Sequence, residues 1–370
     1  MERKRLVTLF PFSQNVHLAK DVGMIPFILH KVNGYESTIA CYEIGEYPYL
    51  DVELKGLNII FIKKIFNNEL LDGLWFILTK HKQYDILMCF HLLRMSLMWL
   101  SLFKILKGNR GRTYLKMDAD FRIYDFDLKK YRFRTLFMKM IKSVNLISVE
   151  SKQLCEFINS EWNIDVKLIP NGFFDDFKRE DTTWEEKENV IITVGTIGLP
   201  RKSNETLMLA FEQFYRKNKE WKLKLIGPIV EPSFNQFVES YFKRTPELVN
   251  VVEFTGNIVD KKQLLEIYKK SKIFALTSKI EGFPLVYLEA VKTGCYIITS
   301  NVTSALDITD NETLGDVFSV GNVDELAIKL HETAINQSKL KDNVKKIQDF
   351  GYQHFYWPTI CSEIDSYLYS

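Results

Sequence analysis

Short apolar runs alternate with amphipathic stretches along most of the chain, the pattern of a parallel sheet covered by helices on both faces. In the first half, residues 6–10, 37–41, 58–61, 85–90, 113–117 and 146–149 predict strands. The alternation then pauses over a charged stretch and restarts at Val190, with strands predicted at 190–194, 222–226, 251–254, 273–277 and 296–299. Two series of this kind predict an α/β protein of two Rossmann-like lobes. The boundaries are residues 1–172 for the first lobe, 173–189 for a linker and 190–352 for the second. The tail from Phe355-Tyr356-Trp357 onward has a helical pattern.

The densest cluster of chemistry lies where one predicted strand meets a helix. After the run 273–277 come Glu281, Gly282 and Phe283, then Pro284, which suits a first helical turn, and Gly294, which suits the stop. Glu289 lies on that helix, eight positions after Glu281. In parallel α/β sheets ligands gather at the carboxyl ends of strands, where backbone N–H groups at helix starts favour anions. Gly282 and Phe283 can offer such groups. The stretch 285–289 rises about 6 Å, so two carboxylates placed this way can hold the two ends of one elongated ligand with a diphosphate between them. A nucleotide-sugar has that shape.

Composition narrows the class. A chain of 370 residues is too long for one ordinary core, and 46% hydrophobic with 26% charged residues describes a globular protein. The most apolar window, 92–106, is broken by Arg94 and Lys104, short of a membrane span. Met-Glu-Arg-Lys-Arg leads directly into a predicted strand rather than a signal peptide, so a cytoplasmic protein is expected. The five cysteines, at 41, 89, 155, 295 and 361, form no CxxC pair and read as small buried hydrophobes. Six histidines without ligand spacing give no metal site. Net charge is +2, yet residues 1–170 carry 25 Lys and Arg against 18 acids, most of the excess falling between Lys104 and Lys142. No nucleic-acid module accompanies that charge.

The segment from Glu281 to Glu289 resembles the Glu-x7-Glu motif of retaining glycosyltransferases of the GT-B fold, in particular glycosyltransferase family 4. Val194-Gly195-Thr196 through Arg201-Lys202-Ser203-Asn204-Glu205 resembles the family's first strand and basic loop. Phe254-Thr255-Gly256-Asn257 resembles the loop facing the base, and residues 268–278 the strand approaching the motif. The resemblance covers residues 190–330. It implies two lobes facing a central cleft, with Lys167-Leu168-Ile169-Pro170-Asn171-Gly172 as the strand and turn that end the first and the C-terminal helix, residues 353–370, crossing back to this N-terminal, acceptor-binding lobe. It also implies that Glu281 orients the donor sugar, Glu289 holds the ribose, and Lys202 with Arg201 stabilises the diphosphate without a metal or other cofactor. Gly195, Thr196, Gly282, Phe283, Thr255, Gly256 and Asn257 would complete the donor site. Thr196 stands where the family often has arginine.

Asp118 occupies the position where many members carry an active-site histidine, and joins Glu281 and Lys202 as a candidate catalytic residue. His17, after the first strand, and His91, after the fourth, are candidate donor or acceptor contacts. Asp118-Ala119-Asp120 also has the DxD spacing of the metal-dependent GT-A fold, which the two-lobe pattern outweighs. Alternatively, Asp118 caps the next segment.

The expected partners are a nucleotide-sugar and a glycan or lipid-linked acceptor, with no nucleic acid. Arg132, Arg134, Lys139 and Lys142, interleaved with Phe133, Leu136, Phe137, Met138 and Ile141, suit either a helix lying on an anionic membrane or one packed on the sheet. Contact would then be peripheral, at the inner face of the cell membrane. The rival to an enzyme is a non-catalytic GT-B subunit that binds a sugar or a partner glycosyltransferase. An epimerase or phosphorylase on a related fold ranks third.

Overall fold

The computed structural model describes residues 3–126 and 133–369. By its contacts the chain divides into two compact units: residues up to Phe174 together with Tyr356–Ser370, and Asp175–Phe355.

The first unit is a seven-stranded sheet of β1 (Arg5–Leu9), β2 (Glu36–Cys41), β3 (Asn58–Phe61), β4 (Ile86–Phe90), β5 (Arg112–Lys116), β6 (Leu146–Val149) and β7 (Lys167–Leu168). Its order is β3-β2-β1-β4-β5-β6-β7 and every pairing is parallel. A parallel sheet is buried on both faces, which is why its inner strands read as continuous apolar runs rather than alternating ones. Successive side chains still point to opposite faces. Val7, Leu9, Leu87 and Cys89 enter one core, while Leu6, Ile86, Met88 and Phe90 enter the other. The helix Trp357–Tyr369 closes the second of these cores with Trp357, Ile360, Cys361, Ile364 and Leu368. Trp357 donates its backbone N–H to Phe173 O at 3.0 Å, fixing where the tail returns.

The second unit is a six-stranded sheet of β8 (Glu188–Val194), β9 (Lys222–Ile226), β10 (Val252–Gly256), β11 (Ser271–Leu276), β12 (Tyr296–Ser300) and β13 (Gly315–Phe318). Its order is β10-β9-β8-β11-β12-β13, again all parallel. The strand β13 escaped the sequence reading because it is a four-residue edge strand, Gly-Asp-Val-Phe, half-buried at its centre and poor in strand-forming residues. Residues 175–189 are stitched into this unit. Arg179 pairs with Asp349 at 2.6 Å, and Lys187 donates to the carbonyls of Ser271 and Thr293, both at 2.8 Å.

Regular helix after the Glu281 loop begins at Val286 and ends at Lys292. Pro284 and Leu285 form a tighter turn ahead of it, their carbonyls accepting from Tyr287 and Leu288. Gly294 takes the left-handed conformation at φ +65°, as expected of a helix stop. Among the described residues, no helix is long and apolar enough to cross a membrane. Arg132 lies outside the described residues.

Candidate active site

In the second unit the expected donor residues sit at the carboxyl ends of β8 to β11. The ends of β8, β9 and β10 are tied together: Gly195 N–H donates to Ile226 O and Gly227 N–H to Gly256 O, each at 2.9 Å. At Gly227 the backbones approach so closely that a Cβ would lie 1.8 Å from Gly195 O, so only glycine fits. Thr196 is half-buried just after β8, while Thr255, Gly256 and Asn257 close β10.

The basic loop is clamped to the end of β11. Lys279 N–H donates to Arg201 O at 2.7 Å, and the Thr277 hydroxyl donates to Lys202 O at 3.0 Å. That clamp delivers Lys202 to the first carboxylate of the motif, with its ammonium 2.6 Å from Glu281 Oε1. Arg201 reaches the same oxygen at 3.5 Å, but its side chain is 55% exposed against 16% for Lys202 and 12% for Glu281. Two cations therefore converge on one carboxylate. Beside them, Gly282 is held by the Ser304 hydroxyl, which donates to its carbonyl at 2.7 Å, and Phe283 is buried edge-on against Tyr287. Among the described residues, the backbone N–H groups of Gly282 and Phe283 have no protein acceptor. They remain available to an anion.

Glu289 is half-buried on the helix Val286–Lys292. Burial pushes its carboxyl pKa up, against the opposing pull of Tyr268, Lys292 and Lys261. The buried Tyr268 hydroxyl is near enough to interact with that carboxyl, although it makes no hydrogen bond of good geometry. A carboxylate kept in an unfavourable environment, with its partners incomplete, is poised for a ligand that supplies donors.

In the first unit, three residues far apart in sequence come together. His17, His91 and Asp118 follow β1, β4 and β5, which are adjacent in the sheet. The Phe10 ring packs against both histidines at centroid distances of 5.5 and 5.9 Å, and His91 Nδ1 lies 3.6 Å from Asp118 Oδ2. Burial, Lys20 and His91 together lower the His17 pKa. His17 Nδ1 accepts from the Gln14 N–H at 2.9 Å, which leaves the proton of the neutral ring on Nε2. Both His91 and Asp118 adopt left-handed backbone, φ +59° and +45°, a conformation that costs energy for residues with a Cβ. Among the described residues, Asp118 caps no turn: Asp120 caps the next one and grips Arg122 at 2.6 Å.

Beneath Asp118 lies a group that the sequence reading missed. Lys116 is fully buried, donates to Glu150 Oε1 at 2.5 Å and lies 3.8 Å from Asp21 Oδ2. Glu150 Oε2 in turn accepts from Ala119 N–H at 3.3 Å, so the residue after Asp118 is anchored to the same carboxylate. Burial pulls the Lys116 pKa down, but Glu150 and Asp21 outweigh it and keep the ammonium charged. Burial raises both carboxyls, with Asp118 adding to the effect. The available signal was a lysine at the end of a strand flanked by apolar residues, Tyr114, Leu115 and Met117, since a charge on a buried strand needs a partner.

Residues 174–349 match the family model described as Glycosyl transferases group 1. This region, just under half of the chain, resembles that family. It contains the Lys202–Glu281 contact, Glu289 and the three tied strand ends. Among curated relatives, the capsular polysaccharide biosynthesis glycosyltransferase CapM of Staphylococcus aureus is 22% identical over 248 residues, covering 62% of this chain and 63% of that protein. The Campylobacter jejuni GalNAc-alpha-(1->4)-GalNAc-alpha-(1->3)-diNAcBac-PP-undecaprenol alpha-1,4-N-acetyl-D-galactosaminyltransferase is 29% identical over 212 residues, 54% of this chain and 55% of its own. The chain thus spans 63% and 55% of these relatives' lengths. Among solved structures, Anabaena Alr3699/HepE in complex with UDP superposes with a TM-score of 0.73 at 16% identity over 98% of both chains. A Rickettsia africae glycosyltransferase gives 0.74 at 15% identity over 99% of this chain and 98% of its own. The fold is GT-B, with both units Rossmann-like and the C-terminal helix belonging to the first.

The state of Glu289 gives a signed prediction. Its folded pKa is raised above the unfolded value, so the cost of ionising it is absent below the unfolded pKa and is felt as pH rises through the folded one. Glu289→Gln should therefore unfold at a higher temperature than wild type at pH 8 and at nearly the same temperature at pH 4. Affinity for UDP should fall by about 1.5–3 kcal/mol, the worth of a hydrogen bond to a charged group. Calorimetry showing unchanged UDP affinity would remove Glu289 from the site.

Proposed function

We propose that this chain is a retaining, metal-independent glycosyltransferase of the family 4 kind. It moves a hexose from a nucleotide-sugar, UDP-linked, to a hydroxyl of a glycan or lipid-linked saccharide in the synthesis of a cell-surface polysaccharide or glycoconjugate. The observation that carries this reading is the convergence of Lys202 and Arg201 on Glu281 beside the open N–H groups of Gly282 and Phe283. The names of CapM and of the Campylobacter enzyme support the reaction class, and the UDP in the Anabaena structure supports the nucleotide.

In this reading the second unit holds the donor. Lys202 shifts from Glu281 to the diphosphate, where charge grows as the sugar–phosphate bond breaks, and the N–H groups of Gly282 and Phe283 add fixed donors. Glu281, released, accepts from the sugar hydroxyls and orients the ring, while Glu289 accepts from the ribose diol. Thr196, Gly195 and the turn Thr255-Gly256-Asn257 line the phosphates and base. Retention follows when the acceptor attacks from the face the leaving group departs, its proton passing to a phosphate oxygen. Asp118, with His91 and His17, orients the attacking hydroxyl. The enzyme works at the cytoplasmic face of the membrane, in peripheral contact with anionic lipid.

The test is transfer or hydrolysis of radiolabelled UDP-sugars. Lys202→Met should lower kcat by about 10²–10³, the usual cost of losing one preorganised charge at the leaving group. Arg201→Met should cost less than about tenfold, since its cation is more solvated. Nucleotide binding without any turnover of any nucleotide-sugar would favour a non-catalytic GT-B subunit instead.

A further inference from the structure

The first unit carries an apolar face that neither the donor site nor the His17–His91–Asp118 cluster uses. It is built from the helices Glu69–Lys80, Arg94–Lys107 and Arg134–Lys142. Their inner sides are locked. Gly73 lets the Trp99 indole lie where a Cβ would stand 2.4 Å from it, and Trp99 donates its ring N–H to Leu70 O at 3.0 Å. Ile105 (78%), Leu136 (57%) and Phe133 (53%), which precedes the third helix, are exposed along one groove, and Trp75 (45%) is exposed on the first helix. Monomeric proteins rarely leave so many large apolar side chains together in water.

Between the second and third helices runs a groove of about 630 Å³, floored by apolar side chains including Leu97, Met98, Leu102, Ile105, Leu136 and Met140. Arg94, Lys104 and Lys139 stand along its walls. The two helices together contain six basic residues and no acid. Lys104 is tied to Gly111 O and Asn145 Oδ1, and Lys107 lies 3.6 Å from Asp85. Among the described residues, Arg134, Lys139 and Lys142 make no ion pair.

We propose that this three-helix face docks on an anionic phospholipid bilayer, with the groove taking one lipid hydrocarbon chain and the cations beside it meeting lipid phosphates. Charge complementarity selects this occupant. The first helix carries Glu69 and Asp72, but the charged residues lining the groove are all cations, Arg94, Lys104 and Lys139; an apolar groove flanked by cations on long flexible stems suits a surface whose phosphates lie above its hydrocarbon, because the stems bury while the charges reach the headgroups. A second copy of the chain would place the same acid-free helices against each other, cation against cation. The inference deepens the proposed function by supplying the lipid phase of the acceptor, and rests on it for that point alone.

The experiment uses the full chain with vesicles of phosphatidylcholine alone or mixed with phosphatidylglycerol. Binding to the anionic vesicles should be at least about tenfold tighter and should fall steeply with salt. Arg134→Glu with Lys139→Glu should weaken it by about 10²-fold or more, at roughly fivefold per cation lost and again per anion gained. Leu136→Ser with Ile105→Ser should weaken binding to both vesicle types, and these exposed changes should leave the circular dichroism spectrum and UDP affinity as in wild type. A brominated acyl chain should quench the fluorescence of a Trp placed by Met98→Trp. Equal partitioning onto neutral and anionic vesicles would overturn the proposal, as would concentration-dependent dimerisation abolished by Leu136→Ser without vesicle binding. Failure of the wild type to turn over any nucleotide-sugar, with vesicle binding intact, would count against the proposed reaction and not against this surface.

Discussion

Asp118→Asn should lower kcat by about 10²–10⁴, the range for a positioned acid–base group, while UDP affinity stays close to wild type. Asp118 is 3.6 Å from His91, about half exposed and in left-handed backbone, and the N–H of the next residue, Ala119, donates to Glu150. A carboxylate in that place can only accept, so it can orient the acceptor hydroxyl and take positive charge from its proton as the new bond to carbon forms. Asn keeps the size and tolerates the left-handed conformation at least as well as Asp, so neither packing nor strain explains a loss. Asp120, not Asp118, caps the following turn, which removes the capping explanation as well. The decisive readout is the split between kcat and KM: wild-type turnover in Asp118→Asn would exclude the carboxylate from the chemistry, and a rise in the donor KM alone would move it to a binding role. The same variant removes the charge that adds to the raised pKa values of Asp21 and Glu150. It should therefore be no less stable than wild type, which keeps a drop in kcat from being read as unfolding.

Lys116→Met should destabilise the first unit by about 3–5 kcal/mol, because deleting one member of a buried ion pair strands the others. Here the stranded groups are Glu150 and Asp21, both already raised by burial and both losing the cation that most opposes it. A folded pKa raised above the unfolded value means that the stability is retained below the unfolded pKa and lost as pH rises through the folded one. The defect in Lys116→Met should therefore be large at pH 8 and shrink toward pH 4, measured as urea midpoints. Replacing all three groups with apolar residues, as Lys116→Met, Glu150→Leu and Asp21→Leu, should recover much of the stability. It should not recover transfer, because Ala119 N–H loses its acceptor and the loop carrying Asp118 is no longer anchored. Recovery of both stability and kcat in the triple variant would make the buried group a packing feature only.

The sequence determined the elements and their class. Strands buried on both faces must be written as short continuous apolar runs, and two series of them separated by a charged stretch are readable without any knowledge of which strands pair. The approach of Lys202 to Glu281 was legible only as a shared destination, the carboxyl ends of β8 and β11. The clamp that makes the contact runs through Thr277 and Lys279, whose side-chain and backbone donors carry no sequence signature. The edge strand β13 gave no signal because an edge needs little apolar content.

Only the tertiary structure decided which residues share a site. His17, His91 and Asp118 meet because β1, β4 and β5 are neighbours in a sheet whose spatial order differs from its chain order. The pairing of Lys116 with Glu150 depends on register, since β5 aligns Lys116 with Ser148 and so brings the end of β6 over the lysine. Periodicity is a property of neighbouring residues and is written locally. The partner of a buried charge is chosen by strand order and register, and any of the chain's 47 acids could have been written as that partner in the sequence alone.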